Sequence, residues 1–272
     1  MKLAYYIKDE RLQLDPGVLA LLADLGAAGF DVAPVTSARD VLPGTQMLLS
    51  LGGDGTYLSA ALIALEAGIP VLGVNFGRLG FLSENLPESV VQALVNNDYT
   101  IQRRGLVKVG GWCLADGPQT ALNDVCFLRI GSAMLGVDIE IDSLPLPTYW
   151  ADGLVVATAS GSTAYSLSVG GPICLPESEV LILAPVSPHN LNVRPIVVPD
   201  TSRISISFRA REDQVRLTAD NRSFSIPADA RLEVSGVPGA LQRVVLNGTN
   251  FIGALQSRLH WGSDVRNSDE KL

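Results

Sequence analysis

Residues 45–56, Thr45-Gln46-Met47-Leu48-Leu49-Ser50-Leu51-Gly52-Gly53-Asp54-Gly55-Thr56, decide how this chain is read. The first part is an apolar run of strand length, and glycines then surround a single carboxylate. Tyr57-Leu58-Ser59-Ala60-Ala61-Leu62-Ile63-Ala64-Leu65-Glu66 follows with helical character and closes at Gly68. A glycine-rich strand-to-helix turn presents backbone N–H groups and the positive end of a helix dipole, which suits phosphate. A carboxylate inside such a cradle raises the electrostatic energy unless it holds a metal or takes a proton from a nucleophilic hydroxyl. The plainer reading makes Asp54 a helix cap. Capping needs one Asp or Ser, not Gly-Gly-Asp-Gly-Thr, so the functional reading is preferred.

Around this turn the first hundred residues alternate strand and helix signals. Leu3 to Ile7 reads as a strand, and Asp15-Pro16 opens a helix through Val18, Leu19, Leu21, Leu22 and Leu25. Gly29-Phe30-Asp31-Val32 leads into a short strand, and Ile69-Pro70-Val71-Leu72-Gly73-Val74 is a further one. That rhythm predicts βαβ units and a parallel sheet. After about Asn97 the texture changes to short β-rich runs, with Val137, Ile139 and Ile141 alternating with polar partners, as do Ile204, Ile206 and Phe208. Val180 to Leu183 and Val244 to Leu246 read the same way, and Phe251 to Leu259 returns to helical spacing. The expected division is an α/β domain over residues 1–98, joined by 248–272, and a β-rich domain over 99–247.

The bulk properties narrow the function. With 47% hydrophobic and 18% charged residues in 272, the chain has the composition of a compact globular protein rather than a disordered one. A net charge of −8 argues against general nucleic-acid or anionic-membrane binding. No stretch approaches the ~18 apolar residues of a membrane span. Met1 to Glu10 lacks the apolar run of a signal peptide. Cys113, Cys126 and Cys174 are irregularly spaced without a CxxC, which suggests free thiols and a cytoplasmic location.

Three further clusters carry polar chemistry. Gly73-Val74-Asn75-Phe76-Gly77-Arg78-Leu79-Gly80-Phe81-Leu82 follows one βα unit after the Asp54 turn, a position from which it is expected to line the same crevice at the strand ends. Arg78 there is either a phosphate partner or an exposed loop charge. Asn123-Asp124, taken alone, reads as a turn. Residues 151–172 form a buried strand, the hydroxyl-dense loop Thr158-Ala159-Ser160-Gly161-Ser162-Thr163, and a small-residue helix. Such a loop suits a sugar–phosphate approaching the backbone. A nucleophilic serine is the weaker idea, since there is no GxSxG. His189 is read as a structural hydrogen-bonding residue.

Taken in order, these clusters resemble the NAD kinase family over nearly the whole chain. The matching signatures are Gly52-Gly53-Asp54-Gly55-Thr56, Asn123-Asp124, the 158–166 run Thr-x-x-Gly-Ser-Thr-Ala-Tyr-Ser, and Ser187-Pro188-His189-Asn190-Leu191 through Arg194-Pro195-Ile196-Val197. The first is shared with diacylglycerol and sphingosine kinases and, loosely, phosphofructokinases. A lipid kinase is therefore the rival enzyme, and the acidic balance speaks against it. A non-catalytic dinucleotide sensor is the rival outside enzymes, and it would ordinarily lack Asp54.

The resemblance implies an N-terminal Rossmann-like parallel sheet domain and a C-terminal β-rich, sandwich-like domain. The terminal helix would pack back on the first domain, with the active site between the two. It implies transfer of the ATP γ-phosphoryl group to the 2′-hydroxyl of the adenosine ribose of NAD. Asp54 would be the general base, touching NAD together with Gly55. Gly52, Gly53, Gly55, Thr56, Asn75 and Arg78 would serve the phosphates. Asn123, Asp124, Asp152, Ser160, Thr163, Ala164, Tyr165, Ser166 and Ser168 would line the NAD site. Mg²⁺ or another divalent ion would be bound through the nucleotide phosphates, with no protein metal cage. A homodimer or homotetramer is expected, because the family's dinucleotide site borrows from a neighbouring subunit.

Three positions depart from the family pattern. Ala159 stands where proline is usual, which should soften the loop. Trp150 replaces a common basic residue, leaving stacking as its available contact. Asp220-Asn221-Arg222 replaces Asp-Gly-Gln, and Asn221 is expected to take the left-handed geometry of the glycine.

Overall fold

The computed structural model describes residues 1–77, 80–115, 117 and 119–262, so Arg78 lies outside the described residues. In chain order the elements begin with β1 (Lys2–Tyr6), α1 (Pro16–Ala27), β2 (Asp31–Pro34), β3 (Thr45–Leu51), α2 (Asp54–Ala67), β4 (Val71–Val74), α3 (Pro87–Asn96) and β5 (Tyr99–Gly110). They continue through β6 (Gln119–Ala121), β7 (Asp124–Arg129), β8 (Leu135–Ile141), β9 (Leu144–Pro145), β10 (Tyr149–Ala151), β11 (Gly153–Thr158) and α4 (Tyr165–Ser168). The last are β12 (Val180–Val186), β13 (Ile196–Pro199), β14 (Ile204–Arg209), β15 (Gln214–Ala219), β16 (Arg222–Pro227), β17 (Leu232–Leu246) and α5 (Phe251–Leu259).

The chain divides into two compact units, residues 1–102 with 242–272, and residues 103–241. It leaves the first inside β5 and returns inside β17.

In the first unit β4, β3, β1 and β2 lie side by side and parallel, and Arg243 of β17 pairs with Val71 at the β4 edge. All of β4 and the last five residues of β3 are buried, as expected for strands covered on both faces. The core gathers Val18, Leu21 and Leu25 of α1, Leu49 and Leu51 of β3, and Val90 and Leu94 of α3. Helix α1 starts as the sequence predicts. The Asp15 carboxylate accepts from the N–H groups of Gly17 and Val18, and Pro16 occupies the first turn. Helix α5 belongs to this unit, with Phe251 and Arg258 both against Phe81.

The second unit is a β sandwich. One sheet runs β13-β12-β11-β7-β15-β16 and is antiparallel throughout. The other contains the antiparallel run β10-β8-β14-β17. Val125 and Phe127 of β7, Leu154 and Val156 of β11, and Val137 and Ile139 of β8 meet in one core. The opposite face of the first sheet carries a smaller cluster, Cys126, Val155, Ala157, Ile182 and Ala184. This is the alternation that a strand covered unequally on its two faces imposes.

Two local expectations are corrected. The helix after the opening turn begins at Asp54, not Tyr57, so the carboxylate sits in its first turn. At the β15–β16 turn the left-handed residue is Asp220, with φ 50°, rather than Asn221. A short polar side chain tolerates that region, and Asp220 supplies it one position early.

Candidate active site

In the first unit the site is built on the β3–α2 turn. Gly52 has φ 146°, and a Cβ there would stand 2.5 Å from Thr56 Oγ1, so only glycine fits. Gly53 is the N-cap and has no side chain to cap the turn. Gly53 and Gly55 are exposed and Thr56 is buried.

The Asp54 carboxylate faces the segment after β4. Its Oδ2 accepts the N–H of Phe81 at 2.9 Å, and its Oδ1 accepts those of Leu82 at 3.0 Å and Ser83 at 2.8 Å. A Cβ on Gly80 would fall inside that carboxylate, so the loop closes on Asp54 only because residue 80 is glycine. Asn75 frames the same loop. Its Nδ2 donates to Ser83 O at 3.1 Å, and its Oδ1 accepts from Gly77 N at 2.7 Å.

In the second unit three separate stretches converge. The Thr158 hydroxyl donates to Leu122 O at 2.6 Å, and Thr158 N donates to Asn123 O at 2.9 Å. A Cβ on Gly161 would overlap the Asn123 carbonyl, so the Thr158–Thr163 loop lies directly on Asn123. From the β15–β16 turn, the Asp220 carboxylate accepts the N–H groups of Leu122 and Asn123 at 2.8 Å each, and that of Asp124 at 3.4 Å. Asp220 N in turn donates to Asp124 O at 3.0 Å.

This packing sets the electrostatics. Burial pushes the Asp124 carboxyl up to about 6; the Cys126 thiol, donating to its Oδ1 at 3.1 Å, opposes that, and the charge of Asp220 adds to it. Asp220 is also raised, first by burial, against the pull of its backbone donors. Tyr165 is exposed and within electrostatic reach of both Asp124 and Asp152. Asp152 is paired with Arg129 at 2.6 Å. Ser160, Thr163 and Ala164 are half-buried and Ser168 is exposed. Ser166 is fully buried with Gly171 pressed against its hydroxyl.

The departures from the family pattern acquire structural tasks. Arg222 sends Nη1 to Gln119 Oε1 at 2.7 Å and Nη2 to the Thr120 carbonyl, so it ties β6 to β16. Trp150 lies across from Gly136 on β8 and covers it with its indole. His189 is exposed, and its backbone N–H donates to Trp150 O at 2.8 Å.

A cavity of about 240 Å³ adjoins Thr158, Ala159 and Ser160. A larger cavity, about 1040 Å³, lies elsewhere in this unit, over β8 and β14, and is lined by none of the candidate site residues read from the sequence. Its lining mixes Lys108, Arg209 and Arg231 with Asp138, Glu140 and Glu233, which gives it no net charge preference. The sequence reading places Phe81 and Leu82 in the second glycine cluster and Cys126 among the free thiols, but assigns none of them, nor Ser83, a part at the site; their roles come from contacts rather than motifs.

Residues 38–97 match the ATP-NAD kinase N-terminal domain, and residues 122–245 match the ATP-NAD kinase C-terminal domain. The chain is 36% identical over 242 residues to the NAD kinase of Flavobacterium psychrophilum, covering 85% of this chain and 81% of that one. It is 39% identical over 226 residues to that of Cytophaga hutchinsonii, covering 81% and 77%.

The chain belongs to the NAD kinase family.

Its enzyme activity is that of an NAD kinase, and its fold is that of NAD kinases of known structure. The yeast NADH kinase complexed with NADH superposes with a TM-score of 0.82 at 22% identity, over 97% of this chain and 89% of that one. The Archaeoglobus fulgidus NAD kinase in complex with ATP gives 0.75 at 25% identity, over 94% and 99%. No described helix is long and apolar enough to cross a membrane.

Proposed function

We propose that Asp54 is the general base of the NAD kinase reaction in this protein. The 2′-oxygen of the adenosine ribose forms a bond to the γ-phosphorus of ATP, the bond from that phosphorus to the ADP oxygen breaks, and the hydroxyl proton passes to Asp54. One observation carries this reading. A carboxylate offers about four lone-pair positions, and the loop N–H groups take two on Oδ1 and one on Oδ2. Among the described residues no other group takes the remaining position on Oδ2, which is suited to one hydroxyl. A carboxylate so fixed acts mainly by orienting its partner for in-line attack, which is what a loose phosphoryl-transfer transition state needs.

Gly53 and Gly55 let the phosphates approach the positive end of α2 closely, while Gly52 and Thr56, whose N–H groups donate to Val74 O and Gly53 O at 2.9 Å, shape the pocket. Asn75 keeps the facing loop in shape. Asn123, Asp124, Asp152, Ser160, Thr163, Ala164, Tyr165 and Ser168 hold the nucleoside groups of NAD, with Ser166 supporting them from beneath. Among the described residues no group of His, Cys, Asp and Glu is arranged to hold a metal. A divalent ion entering with ATP on its phosphate oxygens would supply charge neutralisation there. We further propose a homo-oligomer working in the cytoplasm, a reducing compartment in keeping with the free Cys113, Cys126 and Cys174.

The test is one incubation with ATP, Mg²⁺ and NAD, read by an NADP-specific dehydrogenase. Asp54→Asn is expected to lower turnover by roughly 10²–10⁴ with the fold retained by circular dichroism. Turnover near that of the wild type would remove Asp54 from the role of base.

A further inference from the structure

The loop that grips Asp54 is itself gripped from the other side. Arg243, on the last strand of the chain, is 6% exposed. Its Nη2 donates to Phe81 O at 3.2 Å, to Leu82 O at 3.4 Å and to Glu84 Oε1 at 2.7 Å. Those two carbonyls belong to the peptide units whose N–H groups, Leu82 N and Ser83 N, both end on Asp54 Oδ1. Two peptide planes therefore lie between guanidinium and carboxylate, each with its oxygen on the cation and its hydrogen on the anion. A peptide polarised by a cation at its oxygen is a stronger donor at its nitrogen, and such chains reinforce one another by something like 10–30% per bond.

We infer that Arg243 is a positioning residue for Asp54, acting through the Phe81–Leu82 and Leu82–Ser83 peptides. The inference rests on Asp54 being the base. Glu84 and Arg258 complete the arrangement. Glu84 is 9% exposed at its side chain and neutralises Arg243, while Arg258 lies 3.9 Å from its second oxygen and 5.3 Å from the Phe81 ring centre. Among the hydrogen bonds of the described residues, neither Glu84 nor Arg258 reaches the two peptides; Arg258 feels the Asp54 charge only through space, so the hydrogen-bonded link to Asp54 runs through Arg243.

A purely structural salt bridge and a positioning relay make different predictions. Removing one partner of a buried pair leaves the other charge uncompensated, and removing both relieves that. Arg243→Met should lower the thermal midpoint and cut kcat about tenfold or more, with KM for NAD within about twofold. The double variant Arg243→Met/Glu84→Gln should regain most of the midpoint but not kcat, because the carbonyls of Phe81 and Leu82 remain without their donor. Arg243→Lys keeps the charge opposite Glu84 without the guanidinium fork. It is the variant to use if the methionine form does not fold, and it too should lose kcat with little change in KM. Recovery of kcat in the double variant, or wild-type kcat in Arg243→Lys, overturns the inference. If Asp54→Asn is inactive and Arg243→Lys is wild-type, only the relay is wrong. An active Asp54→Asn means that the base assignment itself has failed.

Discussion

Two carboxylates, Asp54 and Asp124, are the proposed centres of the polar chemistry, and their surroundings differ. Asp54 accepts three backbone N–H groups at 2.8–3.0 Å, which fix its carboxylate in place. Asp124 is buried beside Asp220 and raised to about 6 from the ordinary 3.8, with the Cys126 thiol as its side-chain donor. The sign of the pH effect follows. Below about pH 4 Asp124 is protonated whether the chain is folded or not, and its burial adds no penalty. As pH rises through about 6 the folded chain must hold a buried charge, and stability is lost. Asp124→Asn is therefore expected to be more stable than the wild type by on the order of 3 kcal/mol at pH 8, with the gap closing toward pH 4. Urea denaturation at several pH values measures it, and an unchanged difference at pH 4 and pH 8 would refute it. The same variant should bind NAD more weakly, the usual trade of stability for function at a site.

Among the elements, the Thr158–Thr163 loop shows how a departure from the family pattern is accommodated. Ala159 has φ −57° and ψ −39°, follows the extended Thr158, and donates none of the hydrogen bonds that hold the loop to Leu122 and Asn123. It also lines the cavity of about 240 Å³, so a ring has room. Ala159→Pro is expected to stabilise by roughly 0.4–1 kcal/mol through the unfolded state, leaving kcat intact. A lower denaturation midpoint would show that the loop needs its present freedom.

Much of this level was legible in advance. The strand at 45–51, the Asp15-Pro16 helix start, the alternation in 135–141 and 204–209 and the helix at 251–259 all follow local rules of period and capping. The first turn of α2 was missed because Gly53 caps it without a side chain, and glycine in the sequence looks like loop. The left-handed residue at 220 was misplaced by one because both Asp and Asn tolerate that conformation.

At the scale of the whole molecule the C-terminal segment closes the first unit. Arg243 pairs beside Val71, Phe251 meets Phe81, and Arg258 approaches Glu84. A chain ending at Asn250 would uncover Phe81 and leave Glu84 with one arginine. It is expected to melt several degrees lower and to lose most of its turnover, as read by calorimetry and the coupled NADP assay. Wild-type turnover in that chain would mean that α5 does not support the site.

The sequence by itself determined the parallel and β-rich portions of the fold and the family, and it put Asp54 forward as the candidate base. These are properties of contiguous residues, fixed by periodicity, glycine geometry and motif order. Only the tertiary structure decided what surrounds Asp54 and Asp124, and that Arg222 ties strands. The reason is separation along the chain. Leu82 N reaches Asp54 across 28 residues, Asp220 reaches Asn123 across 97, and Arg243 reaches Phe81 across 162. Partners so distant are chosen by the path of the backbone through the fold, which no local pattern records.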